Sequence, residues 1–117
     1  MIIRIWRTSI VTGRAEEYAA FERERSVPMF REQDGCLGVL FVRSGSVAAA
    51  AISFWRDHQA VEALADSRSY LGTVSDIKSS GLIGTERQVD VFAFTAAWIS
   101  DDLGAELGAL SSDRASG

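Results

Sequence analysis

The order in which strand and helix patterns alternate constrains this chain more than any other feature. Its first segment, Ile2 to Val11, is rich in β-branched side chains, which is typical of a strand. Successive side chains of a strand point to opposite faces, so Ile3 and Ile5 share one face. Arg4 and Trp6 share the other. The chain therefore opens with a strand whose two faces differ in chemistry.

A helical pattern replaces this alternation after Thr12. Ala15, Tyr18 and Phe21 fall at helical spacing, with Thr12 as the expected N-cap. Pro28 lacks the amide donor that an interior turn needs, so it should kink or restart the helix. The restarted segment should end before Gly35.

A hairpin is the next predicted unit. The runs Gly38 to Arg43 and Val47 to Trp55 flank Ser44-Gly45-Ser46, whose glycine suits a tight reversal. The alanine run Ala48 to Ala51 has weak strand propensity and could equally be helical. Its place between a turn and Trp55 favours a strand.

One more helical region and one more strand complete the order. Asp57 is a good N-cap for a helix that includes Leu64, and a second helical stretch starts at Ser69. Gly81 to Glu86 reads as a loop, and Gln88 to Thr95 alternates as a last strand. The predicted order is βαββαβ.

The 117 residues suffice for one domain, which we expect over residues 1–97. Residues 98–117 should form a C-terminal arm or a partly disordered tail. Ser100 could cap a short helix with Leu103, Leu107 and Leu110 on one stripe, whereas residues 111–117 are typical of disorder.

The order βαββαβ predicts an α+β, ferredoxin-like fold, in which an antiparallel sheet carries two helices on one face. Both faces of the predicted strands are apolar, as Phe92 and Phe94 beside Val89 and Val91 illustrate. Helices cover only one of them. We therefore expect a homodimer whose sheets pack face to face about a two-fold axis.

Composition excludes several partners. The net charge is −4, and the 12 basic residues are scattered among 16 acidic ones, so nucleic acid is a poor candidate. The longest uncharged apolar run, Val47 to Trp55, is far shorter than the roughly 20 residues that span a bilayer. Arg4 and Arg7 interrupt the first apolar stretch, which argues against a signal peptide and for the cytoplasm. A single cysteine and a single histidine leave no disulfide and no common zinc site, and we expect no metal.

His58 and three aromatic residues are candidates for contact with a ligand. Histidine is the residue type best suited to acid-base chemistry near neutral pH, so His58 could act as a catalytic base, although a solvated residue in the first turn of a helix is the commoner outcome. Trp55 and Trp6 could stack on a flat molecule, or they could belong to the core. Tyr70 could orient a substrate hydroxyl, or it could pack with its helical neighbours.

Arg4 is the remaining candidate for substrate binding. It shares a strand face with Trp6, and an inward arginine is costly unless it meets a carboxylate or an anionic ligand. Asp90, on the last strand, could supply an ion pair. An anion site is the alternative.

Three stretches together resemble the antibiotic biosynthesis monooxygenase superfamily, whose members are dimeric α+β barrels. They are the opening strand IIRIWR, the passage VPMFREQDGCLGVLFVR, and the segment ISFWRDHQAVEALADS, in which a strand ending in Trp precedes a capped helix. The resemblance extends from Ile2 to about Thr95. It implies the fold, and it leaves the reaction open because the superfamily includes oxygenases, haem-degrading enzymes, isomerases and members without an assigned reaction.

The superfamily's functional positions are only partly matched. The Trp and the haem-ligating His of the haem-degrading members fall on Leu64 and Val74, which disfavours haem degradation. In the cofactor-free oxygenases an Asn precedes the strand-end Trp, and a Tyr lies on the following helix. Trp55 matches, but the Asn stretch is Ala48 to Ala51 and the Tyr position is close to Val61.

The resemblance implies a cofactor-independent monooxygenase that acts on a small aromatic, quinone-like or polyketide-type molecule with molecular oxygen. A non-catalytic protein that binds such a molecule is the alternative, and the missing Asn, Tyr and His favour it. An isomerase or cyclase is a third hypothesis, because it would need only an acid-base group such as His58.

Overall fold

The computed structural model describes the backbone of residues 1–116 and the side chains of residues 1–111. In chain order its elements are β1 (Ile2–Ile10), α1 (Ala15–Phe21), a π-helical segment (Glu22–Ser26), α2 (Val27–Glu32), β2 (Cys36–Ser44), β3 (Ala48–Trp55), α3 (His58–Glu62), a 3-10 segment (Ala63–Asp66), α4 (Arg68–Ser79), β4 (Ile83–Ala93) and α5 (Asp101–Ser116). The strands form one antiparallel sheet in the order β2-β3-β1-β4. The predicted ferredoxin-like α+β fold, with helices on one face of the sheet, is confirmed.

The face of the sheet covered by helices, here the inner face, carries a row of small side chains on β3. Arg4 pairs in register with Ser53, Trp6 with Ala51, and Thr8 with Ala49. Residues paired in register point to the same side of a sheet. The larger β1 side chains therefore have room to lie across β3 beneath the helices.

Pro28 restarts the first helix without ending it. Ser26 and Val27 both keep helical backbone angles, and the π-helical segment precedes the proline directly. A π turn is wider than an α turn, so it accommodates a residue that has no amide donor. The predicted restart thus becomes a change of helical register. The predicted Thr12 cap is wrong, because the helix begins after Arg14.

The last strand starts earlier than its sequence indicates. The segment Gly81 to Glu86, predicted as a loop, contains the start of β4 at Ile83, and Ile83 is buried and pairs with Ile10. Beyond it, Thr85 to Arg87 are exposed polar residues on an edge strand. An edge strand needs no apolar alternation, so the expected pattern is missing there.

The core consists of two apolar clusters on the inner face. One contains Tyr18 and Ile77, with Trp6 and Phe21 packed against it. The other surrounds the fully buried Trp55 and includes Met29 and Phe30.

The opposite face, here the outer face, presents an apolar surface. Its residues come from all four strands and from Phe94 just beyond β4: Ile3, Ile5, Leu40, Val42, Ile52, Phe54, Phe92 and Phe94. Phe54 and Phe94 stack with ring centroids 6.0 Å apart. Phe92 is 51% exposed and Val42 43% exposed. The face is only partly covered in the single chain.

The C-terminal helix begins at the predicted cap. The Ser100 hydroxyl accepts a hydrogen bond from the amide of Leu103 at 3.1 Å. The backbone is helical to Ser116, the last residue whose backbone is described. The expected disorder of residues 111–117 stays a prediction, and residue 117 lies outside the described residues. The division into a domain over residues 1–97 and an arm stays a prediction. Among the described residues no helix is long and apolar enough to cross a membrane.

Candidate functional site

A small cavity lies where the two apolar clusters meet, between the inner face of the sheet and the helices. Its volume is about 40 Å³, room for about three water molecules. Aromatic side chains form much of its wall, and the small Ala51 of β3 contributes to it. Five polar side chains also reach it: Arg4, Tyr18, Ser26, Tyr70 and Thr73.

Arg4 gives the cavity a buried positive charge. The residue is 8% exposed, and its Nη2 donates a hydrogen bond to the Tyr70 hydroxyl at 2.7 Å. The guanidinium carbon also lies 5.3 Å from the centroid of the Tyr70 ring, a cation-π contact. No ion pair of the described residues includes Arg4.

The predicted pairing of Arg4 with Asp90 is wrong. Asp90 forms its ion pair with Arg7 and accepts a second hydrogen bond from Gln88. The register explains this choice, because Asp90 lies opposite Ile5 and Arg4 lies opposite Val91. Asp90 therefore occupies the outer face, and Arg4 occupies the inner one.

The environment of Arg4 favours an anionic oxygen as a ligand. A buried guanidinium loses its hydration, and its remaining N–H donors gain most from a charged acceptor. A phenolate, an enolate or a carboxylate in the cavity would supply that acceptor. The Tyr70 hydroxyl accepts from Arg4, so its own proton is free to be donated to the same oxygen.

Tyr18 contributes a hydroxyl group to the cavity wall, and this group does not act as a base. Burial raises its pKa well above the ordinary range of tyrosine, and the nearby Glu22 raises it further against the opposing effect of Arg43. Arg43 bridges the two residues, since it pairs with Glu22 at 3.2 Å and lies over the Tyr18 ring. Tyr18 therefore stays protonated and can only donate or accept a hydrogen bond.

The structure brings together three of the five predicted site residues. Arg4, Trp6 and Tyr70 line the cavity. Trp55 is completely buried, does not line it, and donates from Nε1 to the Ser53 hydroxyl at 2.8 Å. His58 is exposed in the first turn of α3, after the Asp57 cap, and is not part of the cavity wall.

Two features of the wall were not predicted from the sequence. Tyr18 was identified only as one of the residues at helical spacing, and Ser26 and Thr73 carried no recognisable signal. The small row at Ala49, Ala51 and Ser53 was readable, because alternate residues of a strand share one face. These small residues leave room for Trp6 and Arg4, which are their register partners on β1, and the sequence alone does not give that register.

A larger open groove of about 640 Å³ runs along β2 between α2 and α5. Its wall is mostly apolar, with Arg31 as its charged residue. Cys36 also lines it, and burial raises the pKa of this thiol, which therefore stays protonated. Since the groove holds no buried charge, the smaller cavity is the better candidate for chemistry.

Solved structures share this fold. SnoaB, a cofactor-independent oxygenase from Streptomyces nogalater, is similar over 82% of this chain and 94% of its own, with a TM-score of 0.69 and 15% identity. A candidate antibiotic biosynthesis monooxygenase from Deinococcus radiodurans is similar over 86% of this chain and 98% of its own, with a TM-score of 0.70 and 16% identity. Rv0793 from Mycobacterium tuberculosis is similar over 82% of this chain and 96% of its own, with a TM-score of 0.67 and 18% identity. The sequence matches no protein-family model and no curated protein. The resemblance to the antibiotic biosynthesis monooxygenase superfamily is thus confirmed at the level of the fold.

Proposed function

We propose that this protein binds a single-ring quinol or acidic phenol in its anionic form and oxygenates it with molecular oxygen, without a metal or flavin. The observation that carries the proposal is the buried Arg4, which faces an apolar cavity and has the neutral Tyr70 as its hydrogen-bonding partner. The fold shared with SnoaB, a cofactor-independent oxygenase, supports the class of reaction.

The size of the cavity limits the substrate. About 40 Å³ is far below the 300 Å³ or more of a typical ligand pocket. A single aromatic ring would require side chains of the wall to move, and the half-buried Trp6 and Val74 are the residues that we expect to move. A polycyclic substrate would require separation of the helices from the sheet.

For a quinol, the proposed reaction balances with oxygen as the only oxidant. One oxygen atom enters a ring C–H bond as a hydroxyl group. The other oxygen leaves as water with the two hydrogens of the quinol, and the product is a hydroxyquinone. Arg4 and Tyr70 stabilise the quinolate oxygen and so favour the ionised form of the substrate. The ionised ring is more electron-rich than the neutral quinol and gives up electrons to oxygen more readily.

No carboxylate, histidine or cysteine belongs to the cavity wall in the described part of the chain. The proton of the substrate therefore leaves to solvent, and Arg4 favours this loss because an opposite charge lowers the pKa of a phenol. The isomerase hypothesis requires a base at the substrate, and His58 lies elsewhere on the surface. A non-catalytic binding protein is the second candidate, and the same absence of a base favours it.

We also propose that two copies pack through their outer faces. The exposed apolar side chains of that face, Val42, Phe92 and Phe94 among them, support this arrangement, since large contiguous apolar patches on a protein surface commonly mark interaction sites. A two-fold axis would place each patch against an identical one.

Oxygen uptake by the metal-stripped protein with hydroquinone and methylhydroquinone tests the reaction. We expect uptake above the uncatalysed rate, and we expect Arg4→Met to lose it. Arg56→Met is the matched control, because Arg56 is exposed and does not line the cavity. Equal uptake by Arg4→Met and the wild type would refute the proposal. Absence of uptake, with quenching of Trp fluorescence by the quinol, would favour the binding protein.

A further inference from the structure

Ser53 and Trp55 are hydrogen-bonded to each other and do not line the cavity. Ser53 is 1% exposed and Trp55 is 0% exposed, both on the inner face of β3. Trp55 Nε1 donates to the Ser53 hydroxyl oxygen at 2.8 Å, and that hydroxyl donates to the backbone carbonyl of Arg4 at 3.3 Å. The three residues form one continuous chain of hydrogen bonds.

A serine at this position needs a reason. A buried hydroxyl is costly unless it is hydrogen-bonded, and packing alone would be satisfied by an alanine. Here the hydroxyl makes two hydrogen bonds, and Ser53 is the register partner of Arg4. It therefore fixes the stretch of backbone from which the buried guanidinium projects.

The same indole supports the apolar wall. Trp55 meets Phe30 edge to face, with ring centroids 6.4 Å apart. Phe30 lines the cavity, whereas Trp55 does not. One side chain thus contacts a wall residue through its ring and reaches the cationic residue through Ser53.

We infer that Trp55 is a positioning residue for Arg4, acting through Ser53 without touching the ligand. This inference rests on the proposed function, because it concerns the anion that Arg4 holds. Loss of the Nε1 donor frees the Ser53 hydroxyl to turn away from the Arg4 carbonyl. The cation then loses its fixed distance to the bound oxygen, while the apolar wall remains.

The probe is 4-nitrophenol, whose visible absorption reports its own ionisation when bound. We expect the wild type to lower the pKa of the bound phenol. Trp55→Phe keeps an aromatic ring behind Phe30 and removes the donor. It should raise that pKa again and weaken phenolate binding about two- to tenfold, the equivalent of one hydrogen bond. Affinity for uncharged nitrobenzene should stay unchanged.

Trp98→Phe is the matched control, because Trp98 is 85% exposed and lies far along the chain, after β4. Ser53→Ala breaks the same chain of hydrogen bonds and serves where Trp55→Phe does not fold. Equal weakening of both probes, with the bound pKa unchanged, would mean a purely structural role and would overturn the inference. A wild type that binds neither probe would overturn the proposed function and the inference with it.

Discussion

Ala51→Val should stabilise the protein and, at the same time, weaken ligand binding. Ala51 is 4% exposed, lies opposite Trp6 and contributes to the cavity wall. Two additional methyl groups would fill part of a cavity of about 40 Å³. Each buried methyl group contributes about 0.8 kcal/mol, so the free energy of unfolding should rise by up to about 1.6 kcal/mol. In a domain of this size that corresponds to roughly 6 °C in Tm.

Ala49→Val is the matched control for this substitution. Ala49 lies two residues earlier on the same face of β3, is 6% exposed, and does not line the cavity. Its additional methyl groups have no space to fill, so overpacking should lower the free energy of unfolding by about 1–3 kcal/mol. The two variants change the same residue type on the same strand and should have opposite effects.

Urea denaturation measures the free energies of unfolding, and titration with 4-nitrophenolate measures binding. We expect Ala51→Val to bind at least tenfold more weakly than the wild type, because the ring loses its space. The assignment of Ala51 to the cavity wall is refuted if Ala51→Val is destabilised as much as Ala49→Val. It is equally refuted if Ala51→Val binds the phenolate as tightly as the wild type does.

Three further predictions concern single side chains. Tyr70→Phe removes the acceptor of the Arg4 hydrogen bond, so the free energy of unfolding should fall by about 1 kcal/mol. The affinity for phenolate should fall in the same titration, and an unchanged affinity would contradict the role of Tyr70. The raised pKa of Tyr18 means that above about pH 10 the unfolded chain loses a proton that the folded chain keeps, so stability should decrease with pH there. Tyr18→Phe should flatten this decrease in urea titrations at pH 9 and 10.5, and an unchanged slope would exclude Tyr18 as its source. Ile52→Glu places a charge in the middle of the outer face and should convert a dimer to a monomer in analytical ultracentrifugation; a wild type that sediments as a monomer would exclude the dimer.

The fold was predictable because each element carried its own local signal. The alternation in β1, the Asp57 cap and the turn glycine Gly45 all agree with the structure. The start of β4 was missed because an exposed edge strand carries polar residues on both faces, and Ile83 is recognised as a strand residue only through its pairing with Ile10. Pairing across 73 positions of sequence leaves no local pattern.

The candidate site was predictable only in part, and for a related reason. Arg4 and Trp6 were identified because alternation places them on one face, but the partner of Arg4 depends on registers between distant strands. Asp90 and Val91 are neighbours in sequence, so a register shift of one residue decides whether a carboxylate lies on the inner or the outer face. Tyr70 became its partner because α4 crosses that face, a packing arrangement that no spacing in the sequence encodes.

The proposed role of Arg4 is to hold an anionic phenol oxygen inside the cavity. The most direct test is the pKa of 4-nitrophenol bound to the wild type and to Arg4→Met, measured by visible absorption across pH. A charge about 4 Å away in an environment of effective dielectric constant about 20 is worth about 4 kcal/mol, so the shift could reach about three pH units. We expect the pKa of the bound phenol to be lowered by at least one unit in the wild type and to be restored in Arg4→Met. A bound phenol that titrates identically in both proteins would contradict it.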